Sequence, residues 1–159
     1  MQLRAVTLQL YRNFVDEQRI AIESDVTCLV GKNESGKTTI LKALHRLKPA
    51  NGDDTKFDLT TEYPRWRLAA DRRKNGNLGQ TRPITAEFSL DEADRVALGE
   101  EYGVAIPEVA VCRATRSYAN KSTVSLTVPL HAAASEAAKT ANVVDEDAER
   151  LDTSDSLVQ

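Results

Sequence analysis

The chain has 159 residues, 41% hydrophobic and 28% charged, with two cysteines and a net charge of −3. That size and balance fit one folded domain that buries its own core, and exclude a disordered chain or a disulfide scaffold. No apolar run approaches the ~20 residues that span a bilayer, and Met1-Gln2-Leu3-Arg4 opens no apolar signal core, so the expectation is a cytoplasmic protein with no membrane partner.

In residues 2–10, Leu3, Ala5, Val6, Leu8 and Leu10 are apolar, with Arg4, Thr7 and Gln9 between them, which predicts a strand. Tyr11-Arg12-Asn13-Phe14 leads into a second strand at residues 18–23, with Ile20 and Ile22 on one face. After a turn at Asp25, residues 26–30 (Val-Thr-Cys-Leu-Val) are β-branched and almost continuously apolar, the pattern of a strand buried on both faces. Cys28 there, and Cys112 in a later apolar run, read as small core residues rather than a disulfide or redox pair.

A glycine-containing loop follows, then a helix over residues 38–47 with Ile40, Leu41, Leu44 and Leu47 at helical spacing, ended by Pro49 and Asn51-Gly52. Residues 50–82 read as polar and irregular, anchored by Tyr63-Pro64 and Trp66. Within them residues 65–82 carry Arg65, Arg67, Arg72, Arg73, Lys74 and Arg82 against one acid, Asp71. Such a basic segment can hold nucleic-acid phosphates or can be a solvated loop.

Residues 84–90 alternate as a strand and residues 91–98 form a short helix. Residues 108–116 and 122–128 are a strand pair joined by the Asn-containing loop 117–121. From Leu130 the character changes. Residues 131–141 are alanine-rich and favour helix, and residues 145–159 carry six acids against one base. The expected fold is α/β: a mixed sheet with the 38–47 helix on its central strand and an antiparallel strand group beside it. Residues 1–128 form this lobe. Residues 129–159 form a helical, acidic tail, the start of a further helical or coiled-coil segment.

Gly31-Lys32-Asn33-Glu34-Ser35-Gly36-Lys37-Thr38 matches the phosphate-loop motif at every fixed position. Glycines let the backbone turn and approach a ligand closely. Successive N–H groups then form a nest for a phosphate, and the helix that starts there adds unpaired N–H groups and its dipole. Lys37 would reach the β- and γ-phosphates of a nucleoside triphosphate, and the Thr38 hydroxyl would ligate Mg²⁺. A buried strand before the loop and an amphipathic helix after it are the context this motif requires.

Residues 1–47 resemble the N-terminal lobe of ABC-type ATPases of the recombination-repair and SMC-like group, built as a strand, an Asn/Arg-Phe turn, a second strand and a Gly-x-Asn-x-Ser-Gly-Lys-Thr loop. Closest are the overcoming-lysogenization-defect (OLD) family and related AAA-family ATPases. Asn33, Ser35, Gly36, Lys37, Thr38 and Thr39 match this subgroup's loop, with Lys32 and Glu34 at its variable positions. Arg12 and Asn13 sit where these proteins carry a residue pair that approaches the nucleotide. Residues 57–67 and 84–90 resemble the same chains more loosely, so the likeness covers roughly residues 1–128. It implies ATP and Mg²⁺ as ligands, a homodimer in the full-length protein, DNA as a partner, a repair or phage-defence role, and in many relatives a C-terminal TOPRIM nuclease.

The same resemblance requires a Walker B strand ending in Asp-Glu and a Ser-Gly-Gly signature. Phe88-Ser89-Leu90-Asp91-Glu92 is preceded by alternating Thr85 and Glu87, and reads instead as a half-exposed strand running into a helix capped by Ser89 or Asp91. Asn142-Val143-Val144-Asp145-Glu146 has two apolar residues and sits in the acidic tail. No Ser-Gly-Gly occurs, and Gln80 is the only mid-chain candidate for a γ-phosphate-sensing glutamine. The expectation is the front half of a larger ATPase that binds nucleotide and hydrolyses it weakly or not at all alone. The alternatives are a self-contained small phosphate-loop kinase or phosphotransferase, a GTPase (whose Asn-Lys-x-Asp is absent), and an interaction module that has lost nucleotide binding.

Overall fold

A computed structural model describes residues 1–32, 35–48 and 56–129. Five strands form one sheet, β1 (Gln2–Leu8), β2 (Gln18–Ala21), β3 (Ile84–Ser89), β4 (Val111–Arg116) and β5 (Ser122–Thr127), in the order β2-β1-β3-β4-β5. The helices are α1 (Lys37–Leu47), α2 (Leu59–Glu62), α3 (Arg65–Asn75) and α4 (Glu92–Tyr102), with a 3₁₀ turn at Leu78–Gln80. β1 and β2 pair antiparallel, Val6 opposite Ile20 and Leu8 opposite Gln18. The fold is α/β with an antiparallel sheet. Among the described residues no helix is long and apolar enough to cross a membrane.

The described residues divide into two compact units: Leu3–Glu87 with Arg113–Ser125, and Met1–Gln2 with Phe88–Cys112 and residues 126–129. In the first, Val6 and Leu8 on β1 meet Ile40 and Ala43 of α1, with Tyr11, Phe57, Tyr63, Leu78, Ile84 and Tyr118 completing the core. Burial of each such large side chain contributes roughly 1.5–3 kcal/mol. The aromatic rings interlock, Phe57 edge-on to Tyr11 at 5.5 Å and to Tyr118 at 5.9 Å, in the geometry that ring quadrupoles favour. Glu87 on β3 accepts from Arg19 of β2 at 2.8 Å and Arg113 of β4 at 3.1 Å. Arg19 first, then Arg113, hold its carboxyl below the usual range. This is the half-exposed strand that the alternating pattern predicts.

In the second unit Leu90, Ile106, Ala110 and Cys112 pack with Phe88, Leu98, Leu126 and Val128. Asp91, rather than Ser89, caps α4: its side chain accepts from the Asp94 N–H at 2.8 Å, and Asp94 returns the bond to the Asp91 N–H at 3.1 Å. The Met1 amino group donates to Asp91 at 2.9 Å and, with the Asp94 N–H, holds that carboxyl down to about 2. Glu92 pairs with Arg95. Asp91 and Glu92 are thus engaged at a helix N-terminus. Cys112 is a core residue as expected, and burial pushes its thiol up.

Four expectations are corrected. Residues 26–30 form no strand, and Val26 and Val30 are 74% and 89% exposed. A strand buried on both faces needs a neighbour on each edge and cover on each face. The described sheet gives this segment no neighbouring strand, and Leu29 alone of its large side chains packs on the core. The central strand of the mixed sheet is therefore absent among the described residues, and Cys28, in that segment, is exposed.

The segment 50–82 is largely helical from Leu59 on. Asp58 caps α2 by accepting from the Thr60 N–H at 2.8 Å, Pro64 precedes α3, and Gly76 ends it at φ 66°. Trp66 is no anchor: it is 74% exposed, while Tyr63 and Pro64 are buried. The positions of Pro49, Asn51 and Gly52, the predicted helix 131–141, the acidic tail and the Asn142–Glu146 motif lie outside the described residues.

Candidate functional site

The loop and the turn after β1 pack directly against each other. Gly36 stands at φ 102° just before α1, a backbone that L side chains rarely adopt. A Cβ there would lie 2.7 Å from Asn13 Nδ2 and 2.8 Å from Phe14 Cζ. At the other end of the loop, a Cβ on Gly31 would lie 2.8 Å from Ser35 Oγ. The two fixed glycines of the motif are thus where the backbone is most closely approached.

α1 starts without any side-chain hydrogen bond at its cap. Its first peptide N–H groups therefore carry the unpaired donors and partial positive charge of a helix N-terminus. Lys37 folds back over the loop, donating to the Gly31 carbonyl at 2.6 Å, the Lys32 carbonyl at 2.8 Å and, more weakly, Ser35 Oγ at 3.4 Å. Thr38 is exposed, and its hydroxyl has no hydrogen-bond partner among the described residues. Thr39 is half-buried on the adjacent turn. Asn33 and Glu34 lie outside the described residues.

Tyr11 and Phe14 close the turn after β1 with paired backbone bonds of 2.8 and 2.9 Å. Inside it Leu10 and Arg12 hold positive φ (51° and 54°), a conformation that costs on the order of 1–3 kcal/mol each and persists only where its surroundings fix it. Here the surroundings do. The Tyr118 hydroxyl donates to the Leu10 carbonyl at 2.7 Å, and the Arg12 N–H donates to the Glu62 carbonyl at 2.6 Å.

Glu62 is the hub. Its carboxylate is buried and accepts from Arg12 Nη2 at 2.9 Å, the Tyr11 hydroxyl at 3.2 Å, the Asp58 N–H at 3.1 Å, and Arg46. A buried carboxylate between two guanidinium groups is stable only when so satisfied. The Glu62 contact holds the Arg12 guanidinium above its ordinary value. Burial, then the Glu62 charge, push the Tyr11 hydroxyl up. Arg46 also covers the Phe57 ring at 5.7 Å. One donor of Arg12, Nε, is buried and has no partner among the described residues.

Beside the hub lies an open cleft of about 530 Å³ lined by Arg12, Asn13, Thr39, Thr61, Tyr63 and Arg65. The Tyr63 hydroxyl donates to Asp71 at 2.7 Å. Burial, then that bond, push it up to about 12, while the same bond holds the Asp71 carboxyl down.

The structure thus brings Arg12, Asn13, Gly36 and Thr39 together, with Lys37 and Thr38 at the start of the same helix. Gln80 is exposed on its 3₁₀ turn. Sequence reasoning missed Glu62, Arg46 and Thr61, and placed Arg65 only in the basic segment. Glu62 sits in a segment whose polar composition resembles a loop, and only Tyr63-Pro64-Arg65 beside it gave any signal. Among the described residues no three His, Cys, Asp or Glu side chains gather as a metal cage.

No curated protein matches this chain. A solved structure from work on the ATP-driven dimerization and DNA-stimulated activation of SMC ATPases is similar at 14% identity, over 95% of this chain and 97% of that one, with a TM-score of 0.45. A likeness of that degree leaves function to be argued from this chain's own residues. Over residues 1–154, a span that includes both the loop and the turn packed on it, the sequence matches the family model of the AAA ATPase domain, and the chain belongs to that family.

Proposed function

We propose that this chain binds Mg-ATP as the N-terminal half of an ABC-type ATPase of the OLD and recombination-repair group. The observation that carries this is the uncapped start of α1 behind Gly36, with Lys37 held over the loop carbonyls. Free N–H groups and an ammonium at one helix N-terminus are what a triphosphate requires. Residues 31–39 would cradle the phosphates, Lys37 turning from the loop carbonyls to phosphate oxygens. The 530 Å³ cleft has room for the nucleoside, with Arg12 and Asn13 on its wall and a spare Arg12 donor beside it.

The Thr38 hydroxyl is the group that would hold Mg²⁺, an ion that supplies charge neutralisation on the phosphates. The full protein would act in the cytoplasm as a homodimer with DNA as partner, in repair or phage defence.

Catalysis of phosphoryl transfer is mostly positioning and electrostatic stabilisation. Asp91-Glu92, which follows the apolar end of β3, is not available for it, since both residues serve the N-terminus of α4. The exposed Val26 and Val30 support the half-ATPase reading, because such a segment suits a strand awaiting neighbours.

Calorimetry with Mg-ATP and Mg-GTP, with phosphate release measured on the same sample, tests this. The expected result is ATP binding in the micromolar range with negligible turnover. Robust turnover by this chain alone would favour a self-contained phosphotransferase. Absence of binding to either nucleotide would sink the reading.

A further inference from the structure

Helix α3 carries Arg65, Arg67, Arg72, Arg73 and Lys74 against Asp71. Its inward side is occupied: Leu68 packs on the core and Arg67 pairs with Asp71 at 3.1 Å. Helical periodicity places Trp66, Ala69, Ala70 and Arg73 on the opposite face, all exposed, with Lys74 on its flank, whereas Arg72, exposed too, follows Leu68 by one turn. Arg72 makes no ion pair with any described residue, and the Arg73 guanidinium reaches only the Ala69 carbonyl of its own helix, at 3.3 Å. Trp66 leaves 74% of its surface in water, with the Arg67 guanidinium 5.9 Å from its ring centroid. No packing among the described residues covers the ring.

We propose that this outward face of α3 is a docking surface for single-stranded DNA. Trp66 is the platform on which a base stacks, and Arg73 and Lys74 hold the flanking phosphates. Ala69 and Ala70 lie between the indole and Arg73, and their small side chains let a strand approach the helix closely. A bilayer is the poorer fit, because an interfacial helix buries a broad apolar face and this one offers a single large apolar side chain. The proposal rests on the DNA partnership proposed above and gives it a surface apart from the nucleotide cleft.

Trp66 is the only tryptophan in the chain, so intrinsic fluorescence reads this surface alone. Titration of the protein with a 15-residue oligothymidylate at low salt should quench it saturably. The affinity should fall steeply with added salt. Read by the anisotropy of a labelled oligonucleotide, R73E/K74E should weaken binding at least ~10-fold by removing phosphate contacts, and W66A about 10-fold by removing the stack. Both variants should keep wild-type Mg-ATP affinity, which certifies their fold.

Binding of the oligonucleotide without quenching, or with unchanged affinity in both variants, overturns the α3 surface while leaving DNA as partner. Absence of binding to the single strand and to a duplex of equal length overturns the surface and the DNA partnership together. A blue shift of Trp66 on phosphatidylserine vesicles with no response to the oligonucleotide assigns the face to a membrane instead.

Discussion

Lys37→Ala should lower the affinity for Mg-ATP at least ~100-fold while leaving the melting temperature nearly unchanged. In the proposed complex the ammonium makes charge-assisted bonds to phosphate oxygens, each contributing roughly 1.5–3 kcal/mol. Loss of about 3 kcal/mol corresponds to about two orders of magnitude in affinity. The fold loses little, because the bonds that Lys37 makes within the chain go to carbonyls of an exposed loop, which water can satisfy. Lys37→Arg should rescue poorly, since a planar fork does not fit a pocket shaped around a point charge. Calorimetry and a thermal melt on the same preparation separate the two effects. Unchanged affinity in Lys37→Ala would remove the loop from nucleotide binding.

Glu62→Ala should be the most damaging single change to the fold. It strands Arg12 and Arg46 without their carboxylate, and leaves the Tyr11 hydroxyl and the Asp58 N–H without an acceptor. Removing one partner of a buried ion pair costs about 3–5 kcal/mol, and the low end applies because both arginines keep partial access to water. A loss of about 3 kcal/mol lowers the melting temperature by about 10 °C in a chain of this size. Glu62 also fixes the turn that holds Asn13 against Gly36, so nucleotide affinity should fall with stability. Glu62→Gln keeps the shape and the backbone bond, and should fall between wild type and Glu62→Ala. A melting temperature within ~2 °C of wild type for Glu62→Ala would show that the hub is not what orders the turn.

The parts of the fold legible in the sequence are those whose signal is local. The alternation in β1 and β3, the helical spacing of Ile40 and Leu44, and the loop motif each follow from residues close together in the chain. The Asp91 cap was legible as one of two choices, and the hairpin loop at Asn120 was legible from its composition. Residues 26–30 misled because burial is a property of neighbours: five apolar or β-branched residues say that a segment can be a buried strand, not that strands flank it here. Helix α3 was hidden by its charge. Arginine and alanine are good helix formers, yet an arginine-rich segment without apolar periodicity reads as loop. Trp66 reads as an anchor on residue type, although its helix turns Leu68 to the core. In the site, Arg12 and Asn13 entered through the family resemblance, and the structure adds the reason for their position, a strained turn fixed by Glu62 and packed on Gly36. Glu62 itself carried no sequence signal, because its four partners lie at residues 11, 12, 46 and 58 and meet only in three dimensions.

Hydrogen–deuterium exchange with and without Mg-ATP tests the central claim most directly. Amides in residues 31–40 and in the turn 11–14 should exchange more slowly when nucleotide is present, while α4 is unaffected. Protection that appears on α4 and is absent from the loop, or no protection anywhere under saturating Mg-ATP, would contradict a triphosphate held between Gly36 and Arg12.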